Sequence, residues 1–319
     1  MEQKGNLRLI ETHELKIAKH LQINFEQCII LKNGNIAIAT SLDYFKYTVI
    51  LIINTTTWTR EAVLSSKEEC LERFAELKNG YIVTGLDMCV WDISDSQHLV
   101  STQIETIDRN NAFLVSIELL NNNEMAFTIS GAICIDIYST IYPYKYLYSF
   151  EEPSNRYVDC KGTFFDRKKN LLLLSVISSY AAIYCFNTLT RQKETIITNT
   201  YFFSGHIVQL TNNTLLFQYT FFLTELNLEL FTMRNEKSNE IINRAKSLFL
   251  LSNNDILVTN IYGKIHKMSI TEHKITNFIQ NYIEVIELII SAQKTNELLI
   301  ILHYNSHSLP DELFQQCLR

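Results

Sequence analysis

One phrase of the sequence recurs along almost the whole chain, and no other feature limits the fold as strongly. The phrase consists of apolar residues, a tight turn rich in Asn or Gly, and an apolar pair, as in Ile30–Ala37 and Glu76–Val83. Seven copies follow one another at intervals of 41 to 46 residues, which indicates repeated supersecondary units. The apolar pairs of the seven copies begin at Ile36, Ile82, Met125, Leu171, Leu215, Ile256 and Leu298.

Each copy predicts a β-hairpin that is followed by two more strands. Asn and Gly tolerate the positive φ that hairpin turns need, and the apolar and β-branched residues on both sides favour strands. A third apolar run follows the hairpins, as at Val49–Asn54, Cys89–Ile93 and Ile133–Ile137, and then a more polar fourth run, as at His98–Glu105. Four strands in each of seven units predict an all-β, seven-bladed β-propeller of four-stranded blades.

The two ends of the chain are expected to close this ring together. The seventh unit has a hairpin around Glu284–Tyr304 but no further strand-like sequence, whereas Asn6–Thr12 reads as a third strand and Leu15–Gln22 as a fourth. Closure by strands from opposite ends removes the exposed edges of an open sheet. We therefore expect a single propeller domain over residues 1–307, with residues 1–22 completing the seventh blade, and a short helix or tail over residues 308–319.

Two short pairs of residues make the chain resemble the WD-repeat β-propeller family. Val90–Ile93 contains Trp-Asp at the end of a predicted third strand, where that family places this pair. Gly205–His206 precedes a first strand, where the family places Gly-His. Aligned in the same way, the equivalents of Trp-Asp in other units are Ile53–Asn54, Ile135–Asp136 and Phe186–Asn187. The resemblance covers nearly the whole chain through the period of the repeat.

The resemblance implies a non-catalytic scaffold that binds a protein partner through one face of the ring. The sequence contains no GxSxG, HExxH, Walker or dinucleotide motif, so no catalytic residue, cofactor or metal site is assigned, and a role other than an enzyme is favoured. Two alternatives stay open. One is a hydrolase or lyase with its site in the central channel, and the other is a reader of modified peptides, which needs an aromatic cage and a carboxylate.

The predicted partner-binding face combines the connections between blades with the loops between second and third strands. These segments are longer than the Asn/Gly turns of the opposite side and carry Tyr, Phe and Arg, residues that often anchor interfaces. The partner itself is not identified, and we expect the chain to be a monomer. The candidate binding residues are Tyr44, Phe45, Arg73, Arg109, Arg156, Tyr180, Tyr219, Arg244, Tyr262 and Lys264.

The cysteine pattern predicts thiols rather than disulfides. The chain has seven cysteines, an odd number, and no two of them are separated by two residues, which argues against a disulfide framework and a zinc ribbon. Cys134 and Cys185 read as matching positions in the third strands of successive blades, where a metal or redox pair is one interpretation and two core positions are the simpler one. Unpaired cysteines indicate a reducing compartment.

Composition and charge narrow the partners and the location. Hydrophobic residues make up 47% of the chain and charged residues 19%, which excludes a disordered chain. A net charge of −6 without a long basic run argues against nucleic-acid binding. The uncharged stretch Leu171–Thr190 is interpreted as strand, turn and strand rather than a membrane span, because polar residues interrupt it. We expect a cytoplasmic protein; the heavy use of Ile, Asn, Lys and Tyr is typical of AT-rich genomes and raises the hypothesis of a bacterial effector delivered into a host cytosol.

Overall fold

A computed structural model of the 319-residue chain consists of antiparallel sheets that follow one another along the sequence. The structure describes residues 24–42, 47–57, 59–65, 73–85, 88–95, 98–104, 114–131, 133–152, 159–177, 181–198, 207–211, 213–219, 222–230, 232–235, 245–250, 255–260, 265–269, 274–279, 286–292 and 297–302. No helix occurs in these ranges, so the predicted all-β class is confirmed.

Six of the sheets have four strands each, in chain order. The first contains β1 (Asn24–Ile30), β2 (Ile36–Leu42), β3 (Tyr47–Asn54) and β4 (Thr59–Ser65). The second contains β5 (Phe74–Glu76), β6 (Ile82–Thr84), β7 (Cys89–Asp92) and β8 (Val100–Gln103). The third contains β9 (Leu114–Leu119), β10 (Glu124–Ile129), β11 (Ile133–Ser139) and β12 (Tyr146–Glu152).

The remaining sheets repeat this arrangement. The fourth contains β13 (Asp159–Asp166), β14 (Leu171–Ile177), β15 (Ala181–Asn187) and β16 (Gln192–Thr198). The fifth contains β17 (Ile207–Thr211), β18 (Thr214–Tyr219), β19 (Phe222–Asn227) and β20 (Thr232–Asn235). The sixth contains β21 (Ala245–Leu250), β22 (Asp255–Asn260), β23 (Ile265–Ser269) and β24 (Lys274–Ile279). A two-stranded sheet follows, with β25 (Ile286–Ala292) and β26 (Glu297–Leu302).

The sheets pack face to face and bury apolar side chains between them. Ile50 and Phe74 belong to the core between the first and second sheets, and Phe127 belongs to the core between the second and third. Phe150 and Phe186 stack between the third and fourth sheets, with ring centroids 4.8 Å apart. The first strands of neighbouring sheets lie side by side: β5 with β9, β9 with β13, β17 with β21, and β21 with β25. Strand β1 also lies beside β25.

In the third and fourth sheets, two kinds of tight turn lie at the same end, and we call this end, and the equivalent end of the other four-stranded sheets, the turn side. One joins the first and second strands, and the other joins the third and fourth. In the third sheet the Thr140 N–H donates to the Asn123 carbonyl at 2.8 Å, and in the fourth the Thr188 N–H donates to the Asn170 carbonyl at 2.9 Å. The predicted Asn-Gly turns are present, since Gly34 and Gly80 adopt φ values of 90° and 88°.

Strand register corrects one alignment made from sequence. Trp91 pairs with Ile82 across the hairpin, and the residue that pairs with the equivalent Met125 is Tyr138. The counterpart of Trp91-Asp92 in the third sheet is therefore Tyr138-Ser139, and the equivalence of Asp136 with Asp92 is wrong. The cause is the length of β11, which has seven residues where β7 has four.

The same shift separates the two cysteines that sequence had matched. Cys134 pairs with Ile129 near the start of β11, whereas Cys185 lies one residue before Phe186, near the end of β15. Both side chains are buried, so the prediction of core positions is confirmed, although the two positions are not equivalent. Burial raises the pKa of Cys185 to about 12, which suppresses its reactivity. The cysteines of the described part, none of which forms a disulfide, are Cys28, Cys89, Cys134, Cys160 and Cys185.

Several predictions concern residues that the structure does not describe. The N-terminal strands over residues 1–22 and the helix or tail over residues 308–319 lie outside the described ranges, and so does Gly205–His206. Within those ranges, none of the elements is a helix that could cross a bilayer.

Candidate functional site

The predicted partner-binding residues fall mostly outside the described part of the chain. Arg73 directly precedes β5 and is half-buried, and Tyr219 ends β18, where it pairs with Phe222. These two belong to different sheets, the second and the fifth. The proposed face therefore stays a prediction. The other eight candidates lie outside the described ranges: Tyr44, Phe45, Arg109, Arg156, Tyr180, Arg244, Tyr262 and Lys264.

The described chain concentrates its exposed large hydrophobic side chains at the turn side. They occur in the turns that join third and fourth strands, or on fourth strands just after those turns. Four of the seven belong to the third sheet, which makes it the most apolar part of the described turn side. The seven are Val100, Ile141, Tyr142, Tyr146, Leu147, Leu189 and Leu230.

The turns that display these side chains are closed by a recurring polar residue at the end of the third strand. The Asn187 side-chain oxygen accepts the N–H groups of Leu189 and Thr190 at 2.9 and 3.1 Å. Asn227 closes the turn of the fifth sheet in the same way. These are Asx turns, which fix the backbone locally and leave the tip side chain outside.

The third sheet builds its turn differently. Ser139 stands at the closing position, and its hydroxyl accepts the Ile141 N–H at 3.0 Å. The Ser139 N–H in turn donates to the Lys145 carbonyl at 2.9 Å, so the turn is longer than the Asx turns. The longer turn exposes two apolar residues at its tip, Ile141 at 58% and Tyr142 at 73%.

A β-bulge adds a third apolar residue beside the turn. Tyr138 pairs with Tyr146 and Ile137 pairs with Tyr148, so Leu147 has no partner in the ladder and is 42% exposed. Bulges re-aim a side chain and are found at functional edges of sheets. We call the exposed residues Ile141, Tyr142, Tyr146 and Leu147 the Tyr142 patch.

Packed aromatic rings hold the Tyr142 patch in place. Tyr138 is buried and makes edge contacts with Phe127 on one side and Tyr146 on the other, with centroid distances of 5.4 and 5.6 Å. Tyr144 is buried in the core beneath the turn, and its ring lies edge-on to Tyr142 at 6.0 Å. The exposed rings are thus supported by buried ones.

Basic side chains from three consecutive sheets lie in the patch turn or contact other residues of the third sheet. Lys78 of the second sheet donates from its ammonium group to the Asn123 side-chain oxygen at 3.1 Å, and Lys145 is exposed in the patch turn itself. Arg191 of the fourth sheet lies over the Tyr148 ring, 4.4 Å from its centroid. The Tyr148 hydroxyl donates to Glu124 at 3.1 Å, and burial together with this carboxylate raises the pKa of Tyr148.

A second cluster has the residue types of a metal site. The thiol of Cys134 lies 3.4 Å from an Asp136 oxygen and 3.9 Å from a Glu151 oxygen, and Ser149 also donates to Glu151. Cys134 and Asp136 are buried, and Glu151 is exposed. A thiolate and two carboxylates could hold zinc, but the Cys134 thiol must first lose the proton that it shares with these carboxylates.

One carboxyl group of the described chain titrates near neutral pH. Burial raises the pKa of Glu118 to about 7, against the opposing charge of Arg167. Glu118 lies on β9, which runs beside β13, and the hydroxyls of Ser116 and Thr163 are hydrogen-bonded between these two strands. This group therefore belongs to the seam between the third and fourth sheets.

The Tyr142 patch was missed by the sequence analysis, although one signal was present. Apolar and aromatic residues follow one another at residues 141–148, where the first sheet has Thr55–Thr57 and then Arg60–Glu61. Comparison of the chain with protein-family models and with curated proteins gave no match.

Proposed function

We propose that the chain is a seven-bladed β-propeller related to the WD-repeat family and acts as a non-catalytic scaffold for a protein partner. The ring is supported by six four-stranded sheets in chain order, a seventh hairpin, and the proximity of β1 to β25. We further propose that residues 1–22 add the two strands that the seventh hairpin lacks.

The hydrogen bonds of the second sheet support the relationship to WD repeats. The Trp91 indole N–H donates to the Thr84 hydroxyl at 3.0 Å, which ties the third strand to the second. The Asp92 carboxylate accepts the Ser94 N–H at 2.9 Å and its hydroxyl at 2.6 Å, which closes the following turn. These hydrogen bonds lower the pKa of Asp92, so the residue is charged at neutral pH and serves the turn.

The observation that carries the scaffold function is the Tyr142 patch with its basic flank. Apolar and aromatic side chains that stay exposed on a supported framework mark interaction sites, and Tyr and Arg are enriched among interface anchors. The predicted loop face, with Arg73, Arg109 and Tyr262, is the alternative surface for the same function.

Affinity capture with two matched sets of variants tests the function and chooses the surface. The turn-side set is Tyr142→Ser with Leu147→Glu, and the loop-side set is Arg73→Ala, Arg109→Ala and Tyr262→Ala. We expect mass spectrometry to identify a partner that the unmodified chain and the loop-side set retain and the turn-side set loses. Loss only in the loop-side set would move the function to the opposite face, and retention by both sets would contradict a surface on either.

Removal of residues 1–22 tests the proposed ring. The seventh hairpin would then expose two strand edges, so we expect aggregation or a clearly lower melting temperature. A truncated chain that melts like the intact one would show that these residues do not close the ring.

A further inference from the structure

We propose that the Tyr142 patch binds a peptide segment of its partner in which apolar side chains adjoin Asp or Glu. This inference rests on the proposed scaffold function and specifies the chemistry of the partner. The apolar part of the segment would contact Ile141, Tyr142 and Leu147, and its carboxylates would face Lys78, Lys145 and Arg191.

The charge around the patch selects the acidic character of the segment. The chain has a net charge of −6, yet three cations lie at this end of the sheets: Lys145 is exposed in the patch turn, Lys78 binds Asn123, and Arg191 lies over Tyr148. The carboxylate of Glu124, which lies among them, is largely buried and bound by Tyr148 and Arg191. The opposing carboxylate of Asp92, whose charge acts on Tyr144 beneath the turn, is bound by Ser94 and Tyr81. Charge complementarity of this kind steers association and excludes basic partners.

The third sheet differs from the first and fourth sheets in the residue at the bulge of its fourth strand. Leu147 occupies the bulge position that Glu61 fills in the first sheet and Glu194 fills in the fourth. Those glutamates are hydrogen-bonded to Asn35 and Asn187. Leucine at this position cannot make such a hydrogen bond, so Leu147 does not stabilise the turn and instead adds exposed apolar surface.

The framework lowers the entropic cost of binding. Three backbone hydrogen bonds fix the patch turn, including Tyr144 N–H to the Ile141 carbonyl at 2.8 Å. The aromatic contacts of Tyr138 and Tyr144 support the exposed rings from beneath. A preorganised surface of this kind loses little side-chain freedom when a peptide docks.

The bulge and the charge also argue against two other occupants. The bulge at Leu147 interrupts the edge of the sheet, so the segment is expected to lie across the turns instead of adding a strand to β12. A second copy of the chain would bring two basic surfaces together, and like charges in an interface disfavour the contact.

Selection from a phage-displayed library of random dodecapeptides tests the proposal with the full-length chain as bait. A parallel selection uses the Tyr142→Ser, Leu147→Glu variant, and Leu230→Ser, an exposed position of the fifth sheet, is the matched control. We expect peptides enriched on the unmodified chain and on Leu230→Ser, but not on the patch variant, to combine Phe, Leu or Tyr with Asp or Glu. In fluorescence anisotropy, Lys145→Glu should weaken their binding about tenfold, and added salt should weaken it further.

Each other outcome would overturn the proposal. Enrichment of basic or purely apolar peptides, or equal enrichment on the patch variant, would contradict the proposed segment. Vesicles of phosphatidylserine that bind the chain through the same residues, without peptide selection, would replace the peptide by a membrane surface. A dimer that Leu147→Glu dissociates would replace it by a second copy. If affinity capture still yields a partner that depends on the patch, the scaffold function stands and only this partner chemistry fails.

Discussion

The third and fourth sheets share one backbone plan but present different surfaces at the turn side. In both, the residue that ends the third strand closes the turn, and a bulge follows on the fourth strand. The fourth sheet uses Asn187 and Glu194, which bond to each other at 2.6 Å. The third sheet uses Ser139 and Leu147, and Leu147 faces solvent.

This difference separates the residues that build the fold from those that specialise one sheet. Tyr138 and Phe186 pair equivalently within their hairpins and are both buried. The two sheets differ on their fourth strands, where Lys193 and Glu194 of the fourth sheet correspond to Tyr146 and Leu147 of the third. The exposed side chains of one sheet thus differ from those of its neighbour while the buried positions stay equivalent.

The largest expected loss of stability concerns the equivalent buried rings of the third and fourth sheets. We expect Tyr138→Ala and Phe186→Ala each to lower the free energy of unfolding by about 3–5 kcal/mol, because both remove a buried ring and leave a cavity. Urea denaturation followed by circular dichroism measures the loss, and Tyr138→Phe, which keeps the ring, is the control. A loss below about 1 kcal/mol for one alanine variant alone would show that the two positions are not equivalent.

The seam between the two sheets should make stability depend on pH. The Glu118 pKa is about 7 in the folded chain and 4.5 ordinarily, so between these values the folded state binds more protons than the unfolded state. The free energy of unfolding should therefore fall as pH rises from about 4.5 to about 7, and then level off for this group.

Glu118→Gln should remove that part of the pH dependence, as measured by denaturation at several pH values. Arg167→Gln should extend the fall to higher pH, because Arg167 lowers the pKa of Glu118. An unchanged pH profile in Glu118→Gln would assign the dependence to other groups.

Substitution of the turn-closing residues should lower stability by a smaller amount than substitution of the buried rings. The Asn187 side chain makes three hydrogen bonds, to Leu189, Thr190 and Glu194, whereas the Ser139 hydroxyl bonds to the backbone of one residue, Ile141. We expect Asn187→Ala to cost about 1–2 kcal/mol and Ser139→Ala about 0.5–1 kcal/mol. Thermal melting of both variants checks the order, and the reverse order would indicate that the longer turn depends more on its closing residue.

The hairpins and their order along the chain could be predicted because their signals are local. Asn33-Gly34 and Asn79-Gly80 specify tight turns by their own backbone preferences, and both glycines adopt positive φ. The period of the repeat then supplied the count of units. The prediction of seven hairpin units follows from these two features, and the structure contains six four-stranded sheets and a final hairpin in the predicted order.

Register could not be predicted in the same way. The alignment of Asp136 with Asp92 relied on residue type, whereas the true counterpart, Ser139, is set by pairing of Glu124 with Ser139 across the hairpin. The bulge at Leu147 depends on the same pairing, so the aromatic run at residues 141–148 does not by itself show which of its side chains are exposed. The length and aromatic content of the loops predicted a binding face at the end opposite the turn side. Arg73 and Tyr219 are the candidates of that face that the structure describes.

A small expected change in stability accompanies the sharpest test of function. Tyr146→Lys with Leu147→Glu gives the third sheet the residue pair of the fourth, Lys193-Glu194. Both positions are exposed, and the change removes the edge contact of Tyr146 with Tyr138, so the free energy of unfolding should fall by no more than about 1 kcal/mol in urea denaturation. The partner, in contrast, should be lost from affinity capture.

The reciprocal exchange makes this test complete. Lys193→Tyr with Glu194→Leu gives the fourth sheet the apolar pair, but its turn keeps Asn187 and presents Leu189 where the third sheet presents both Ile141 and Tyr142. We therefore expect this variant to retain the partner at the third sheet and to gain no second site. Two bound partners per chain, measured by analytical ultracentrifugation, would mean that the bulge pair alone defines the surface. Unchanged capture by the third-sheet exchange would mean that the Tyr142 patch contributes little to binding, because its bulge residue would then be replaceable by a charge.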